Sequence, residues 1–122
     1  MPADRPPAIV LAELGRAMRT MTERAEQYAA ARRAVATFKG EYDQAMSAEL
    51  VKLRDEYRQS GERLPSEEMR RAICHQRVGD QYRLLLAAEA DHEALARLVK
   101  ADSDLVSGLQ SELRFLQTTE LL

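Results

Sequence analysis

Ser60-Gly61-Glu62-Arg63-Leu64-Pro65-Ser66 falls close to the midpoint of a chain of 122 residues, and the long runs on either side carry helical periodicity without an internal proline. Gly61 is suited to the left-handed conformation that ends a helix. Ser66 can cap the next helix, with Glu67 and Glu68 well placed in its positive first turn. Leu64, before Pro65, is pushed out of the helical region, so the chain must turn here. Working outward, the stretch predicts an N-terminal flexible arm over 1–6, a first long helix over 7–59, a turn over 60–66 and a second long helix over 67–118. The expected fold is all-α, one domain, a long antiparallel helical hairpin of coiled-coil type.

Composition agrees with that reading. Aromatic residues make up 5% of the chain and tryptophan is absent, so a core built on large aromatic side chains is excluded. Alanine, leucine, arginine and glutamate dominate, a bias expected of long helices. No stretch alternates apolar and polar residues between turn signals, as a strand would. No apolar run is long enough for a membrane span, and the segment 1–7 lacks the apolar core of a signal peptide. The lone Cys74 cannot form an internal disulfide. Together these features predict a cytoplasmic protein without membrane contact.

The core stripe of the second helix is continuous. Cys74, Val78, Gln81, Leu85, Ala88, His92, Leu95, Val99, Asp102, Val106, Leu109, Leu113 and Leu116 alternate spacings of four and three. That is a sustained heptad. Leu84, Leu86, Leu98 and Leu105 lie outside the stripe and widen the apolar face. A hairpin buries only one stripe per helix, a poor ratio of surface to volume for so small a chain. A homodimer forming a four-helix bundle is therefore expected, with self-association through Leu95, Val99, Leu109, Leu113 and Leu116. The first helix is less regular. Leu11, Leu14, Met18, Met21, Ala25 and Tyr28 keep the heptad, followed by Val35, Phe38 and Tyr42; Met46, Leu50, Leu53 and Tyr57 then drift toward spacings of four. Gly40 lies beside this change of phase and predicts a kink or short break.

Folding the hairpin about its turn brings Asp102 opposite Glu23 and Arg24. An Arg24–Asp102 pair would fix the register at some cost in stability, as polar seam residues do; the alternative leaves Asp102 facing solvent between core layers. Around the turn, Lys52, Arg54, Arg58, Arg63, Arg70, Arg71 and Arg77 outnumber the acidic residues, while the rest of the second helix is acidic. A net charge of −2 argues against generic coating of nucleic acid. The arginines at the turn, Arg58, Arg63, Arg70 and Arg71, are instead candidate partner-binding residues; an ordinary solvated helix surface is the plainer reading of the same charges.

Motifs of catalysis are missing. There is no glycine-rich phosphate loop and no nucleophile with a base. Cys74 and His75 are adjacent, and neighbours on a helix do not face each other. Glu89-x-x-His92 has the spacing used twice in di-iron four-helix bundles, but the further carboxylates such a site needs are not opposite it. No catalytic residue, metal or cofactor is expected.

Gly61-Glu62-Arg63-Leu64-Pro65-Ser66 and Val106-Ser107-Gly108-Leu109-Gln110-Ser111-Glu112-Leu113-Arg114, within a likeness spanning most of residues 40–116, give a pattern that resembles small helical accessory proteins of bacteriophages and prophages. Small secreted hairpins with a central Trp-x-Gly turn are similar in length, but this chain has no tryptophan. The phage resemblance implies an accessory protein of a replication or recombination module, and it carries over no functional residue. The expected function is that of a non-enzymatic interaction or adaptor protein binding a phage or host protein in the host cytoplasm. The alternatives are a nucleic-acid-binding module that uses the arginines near the turn, and an inhibitor of a host defence complex of anti-CRISPR type.

Overall fold

A computed structural model describes residues 5–121. The chain is all-helical, with 92% of the described residues in helix and none of them in a strand. Three helices follow in order: α1 (Pro7–Ser60), α2 (Glu67–Arg77) and α3 (Gly79–Leu121). Residues 1–4 of the expected arm lie outside the described residues. Arg5, at its end, is held by Glu13 and Glu112 at 2.5 Å each. No helix among the described residues is long and apolar enough to cross a membrane.

The turn is built from the signals quoted above. Gly61 takes φ +74°, and its N–H donates to the Tyr57 carbonyl at 3.1 Å, which closes α1 with a left-handed cap. Ser60 adds a side-chain bond to the same carbonyl at 3.2 Å and accepts from the Glu62 N–H at 3.3 Å. Across the turn, Ser66 Oγ accepts from the Met69 N–H at 3.3 Å and caps α2. Glu67 and Glu68 occupy the first turn of α2. A cap of this kind is worth about 1 kcal/mol.

Two expectations are corrected here. The single second helix expected over 67–118 is interrupted at Val78, whose φ of −101° and ψ of 27° leave the helical well. Helical hydrogen bonds enter and leave this residue, from Val78 N–H to Cys74 O at 3.1 Å and from Tyr82 N–H to Val78 O at 3.0 Å. The physical reason lies in Gly79-Asp80. Glycine is a poor helix former, and Asp80 in the first turn of α3 favours a fresh N-terminus. The break expected near Gly40 does not occur: α1 runs through it unbroken. A Cβ at Gly40 would meet nothing within 4 Å, so no close approach requires glycine there.

Within the one domain expected from the sequence, the contacts separate into two compact units. The terminal unit comprises residues 1–30 with 93–122, and the central unit residues 31–92.

In the terminal unit the start of α1 lies antiparallel to the end of α3. Val10, Ala17, Val106 and Leu109 form its buried cluster, with Leu14, Met21, Leu113 and Leu116 packed against them. The stripe of α1 here is Val10, Leu14, Ala17, Met21, Arg24 and Tyr28, all buried or half-buried, whereas Leu11, Met18 and Ala25 are exposed. The expected stripe was thus one residue out of phase at alternate positions. The cause is Arg24, a charged residue in a core position, which made the neighbouring Ala25 look like the apolar member. Arg24 Nη1 donates to Asp102 Oδ1 at 3.1 Å, so the expected register pair forms. The Asp102 side chain is 10% exposed and that of Arg24 31%, so the carboxylate is the deeper partner.

In the central unit Leu53, Cys74, Val78, Leu85 and Ala88 are buried. Met46, Leu50 and Tyr57 are half-buried, so the drift in spacing expected on α1 is a real feature of its packed face. Beside these lies an aromatic group that the stripe did not reveal. Tyr42 Oη lies 2.7 Å from His75 Nδ1, and the Tyr42, His75 and Tyr82 rings pack with centroids 4.4–5.9 Å apart.

Candidate partner-binding surface

The C-terminal turns of α1, the 61–66 loop and the start of α2 carry the densest group of cationic side chains in the central unit. On α1, Leu50, Val51 and Arg54 share one side because residues three and four apart are neighbours on a helix. On α2 the same rule places Glu67 beside Arg70 and Arg71. These six residues line a shallow cleft of about 210 Å³. Arg54 also borders a second cleft of about 210 Å³, whose other walls are Tyr57, Arg58, Glu62 and Leu64.

The electrostatics of this surface differ from those of the nearby rim. Arg77 is bound to Glu56 at 3.0 Å and Glu49 at 3.5 Å, and the Glu56 hydrogen bond pushes its pKa above the usual arginine value. Arg71 is paired with Glu67 on its own helix at 3.3 Å. Arg54, Arg58, Arg63 and Arg70 make no ion pair among the described residues. Arg58, in the last turn of α1, complements the negative end of the helix dipole. Apolar surface is exposed alongside: Val51 is 50% and Met69 54% exposed.

Of the arginines singled out in the sequence, Arg58, Arg63 and Arg71 are exposed and Arg70 is half-buried. Arg70 and Arg71 line one cleft and Arg58 the other. Sequence reasoning missed the central position of Arg54 and the apolar floor of Leu50 and Val51. Their signal was available as Leu50-Val51-x-x-Arg54, an apolar pair one helical turn before a cation.

The residues expected to drive self-association are placed in the chain itself as follows: three lie in or against the terminal-unit cluster and two are half-buried. Leu109 is buried in the chain's own terminal-unit cluster, and Leu113 and Leu116 pack on it. Leu95 and Val99 are half-buried. The larger apolar side chains left in solvent on α3 are Leu84, Leu86, Leu98, Leu105 and Phe115.

Cys74 is fully buried, which pushes its thiol pKa upward, and His75 is turned to Tyr42 rather than to its neighbour. Glu89 is exposed and His92 half-buried. Among the described residues no group of three or more His, Cys, Asp or Glu side chains could hold a metal ion. No protein-family model, curated protein or solved structure matches this chain.

Proposed function

We propose that the protein is a non-enzymatic adaptor of the phage type suggested by its sequence pattern, cytoplasmic and homodimeric, which grips a partner protein at the turn end. The carrying observation is that Arg54, Arg58, Arg63 and Arg70 lack ion pairs among the described residues, while Val51 and Met69 stand exposed beside them. Arg16, Arg19, Arg32, Arg33 and Arg114 likewise make no ion pair among the described residues, so what sets the turn end apart is the combination of such arginines with exposed apolar side chains along the clefts. The guanidinium fork binds carboxylates bidentately, and arginine next to apolar surface is favoured at interfaces. The fitting partner is an acidic segment that also carries apolar side chains, on a phage or host protein of DNA replication or recombination. The homodimer, assembled as a four-helix bundle, is supported by the apolar side chains that α3 leaves exposed.

Immobilised wild type and Arg63→Glu/Arg70→Glu, compared on host lysate with and without nuclease, test the reading. The wild type retains a discrete protein after nuclease treatment, and the double variant loses it with helicity unchanged. Equal retention by both overturns the turn-end surface. Loss of all retention on nuclease treatment, with affinity falling steeply with salt, favours the nucleic-acid reading of the same arginines.

A further inference from the structure

Within the terminal unit, α3 carries a second stripe besides the one that faces α1. Ala94, Leu98, Ala101, Leu105 and Gly108 alternate spacings of four and three, and every one of them is exposed. Leu98 is 43% and Leu105 55% exposed, and a Cβ at Gly108 would meet nothing within 4 Å. Large and small residues alternate along this row. Such a row fits a copy of itself run in the opposite direction, because each leucine then faces a small residue.

We infer that this stripe is the self-association seam, occupied by the same helix of a second copy, antiparallel and related by a two-fold axis between Leu98 and Ala101. Leu98 meets the partner's Ala101 and Ala94 meets the partner's Leu105, each contact occurring twice, as two-fold symmetry requires.

The flanking charges select this register. The row beside the seam carries Arg97 and Asp104, both exposed. In the proposed register Arg97 lies opposite the partner's Asp104, and the symmetry makes two such pairs. Sliding the helices by one heptad in one direction sets Asp104 against the partner's Asp104. Sliding them in the other sets Arg97 against the partner's Arg97. Flanking charges specify partner and orientation in this way, and like-charge encounters are penalised. Arg97 also pairs with Glu93 of its own helix at 2.7 Å, with both side chains well exposed. That local pair is of the weak kind that an intermolecular partner can share or replace. So short a seam belongs to the small, weak class of specific interfaces, so the dimer forms at high micromolar concentration.

This inference rests on the homodimer of the proposed function and is independent of the arginine clefts. Analytical ultracentrifugation of the full chain between about 10 and 500 µM, a range chosen for weak interfaces, tests it. The wild type shows a monomer–dimer equilibrium. Leu98→Glu/Leu105→Glu is monomeric throughout, with unchanged helicity because both side chains are exposed. Arg97→Asp weakens association about tenfold, and Arg97→Asp/Asp104→Arg restores it; tenfold corresponds to about 1.4 kcal/mol. A wild type that stays monomeric at every concentration overturns the homodimer and the seam together. A dimer that survives Leu98→Glu/Leu105→Glu, or a charge swap without rescue, overturns the seam alone.

Discussion

In the terminal unit a carboxylate, Asp102, stands inside the helix seam and is met by Arg24, in a unit whose buried apolar residues are Val10, Ala17, Val106 and Leu109. In the central unit the buried positions are Leu53, Cys74, Val78, Leu85 and Ala88, all uncharged, and the ion pairs of Arg77 with Glu49 and Glu56 stay at the rim. An ion pair in a seam specifies which turn meets which, but much of its Coulomb energy offsets desolvation. A seam of apolar side chains gives more stability and less positional information. The central unit recovers that information from shape, through the packed Tyr42, His75 and Tyr82 rings, and from the turn caps at Gly61 and Ser66.

Truncation separates these roles most strongly at Leu53, which is 2% exposed. Leu53→Ala is expected to destabilise by about 3 kcal/mol, the middle of the range for leucine-to-alanine changes in cores. A urea titration with unchanged m-value checks it. In the terminal unit, Arg24→Ala leaves a buried carboxylate without its partner. The expected loss is about 2 kcal/mol, reduced from the buried-pair figure because Arg24 is about one third exposed. Replacing both residues, Arg24→Leu/Asp102→Leu, is expected to be neutral or stabilising while loosening the register. A double variant as unstable as Arg24→Ala would show that the pair adds net stability, against the offset by desolvation.

Glycines sharpen the contrast between a residue the fold requires and one it tolerates. Gly61→Ala places a side chain at φ +74° and is expected to cost about 1 kcal/mol. Gly40→Ala, in open space in the middle of α1, is expected to stabilise by up to about 1 kcal/mol. Thermal melts of the two variants should move in opposite directions.

The smallest effect concerns pH at the rim of the terminal unit. The hydrogen bond from Arg5 holds the Glu112 carboxyl below its ordinary value of 4.5. Its folded pKa is the lower one, so the stabilisation is in place above that ordinary value and is lost as pH falls through the depressed one. Glu112→Gln should lower stability slightly near neutrality, leave it unchanged at the acid end, and so flatten the acid limb of the stability–pH curve.

Much of this was legible in the sequence. All thirteen positions of the stripe read along Cys74 to Leu116 are buried or half-buried, because aliphatic side chains at heptad spacing state their own phase. The turn was legible for a similar reason: Gly61, Pro65 and Ser66 each constrain the backbone locally. The phase of α1 in the terminal unit was hidden by Arg24, since a charge in a core position can be recognised only with its partner. The interruption at Val78 was hidden because the apolar spacing passes through it unchanged, although Gly79-Asp80 was a signal. At the candidate surface, the arginines were visible as composition. That Arg54 joins two clefts, while Arg71 and Arg77 are neutralised, depends on which carboxylates the fold brings near.

The central claim is that the chain buries its inner stripes within itself and meets its partner at the turn of the central unit. Site-specific photocrosslinking in host cells tests it most directly, with a benzophenone residue at Val51, which lines the cleft, or at Gln117, exposed in the terminal unit. The account predicts a discrete heterologous protein adduct from Val51 that disappears when Arg63→Glu/Arg70→Glu is introduced, and no such adduct from Gln117. An adduct from Gln117 and none from Val51 would contradict it.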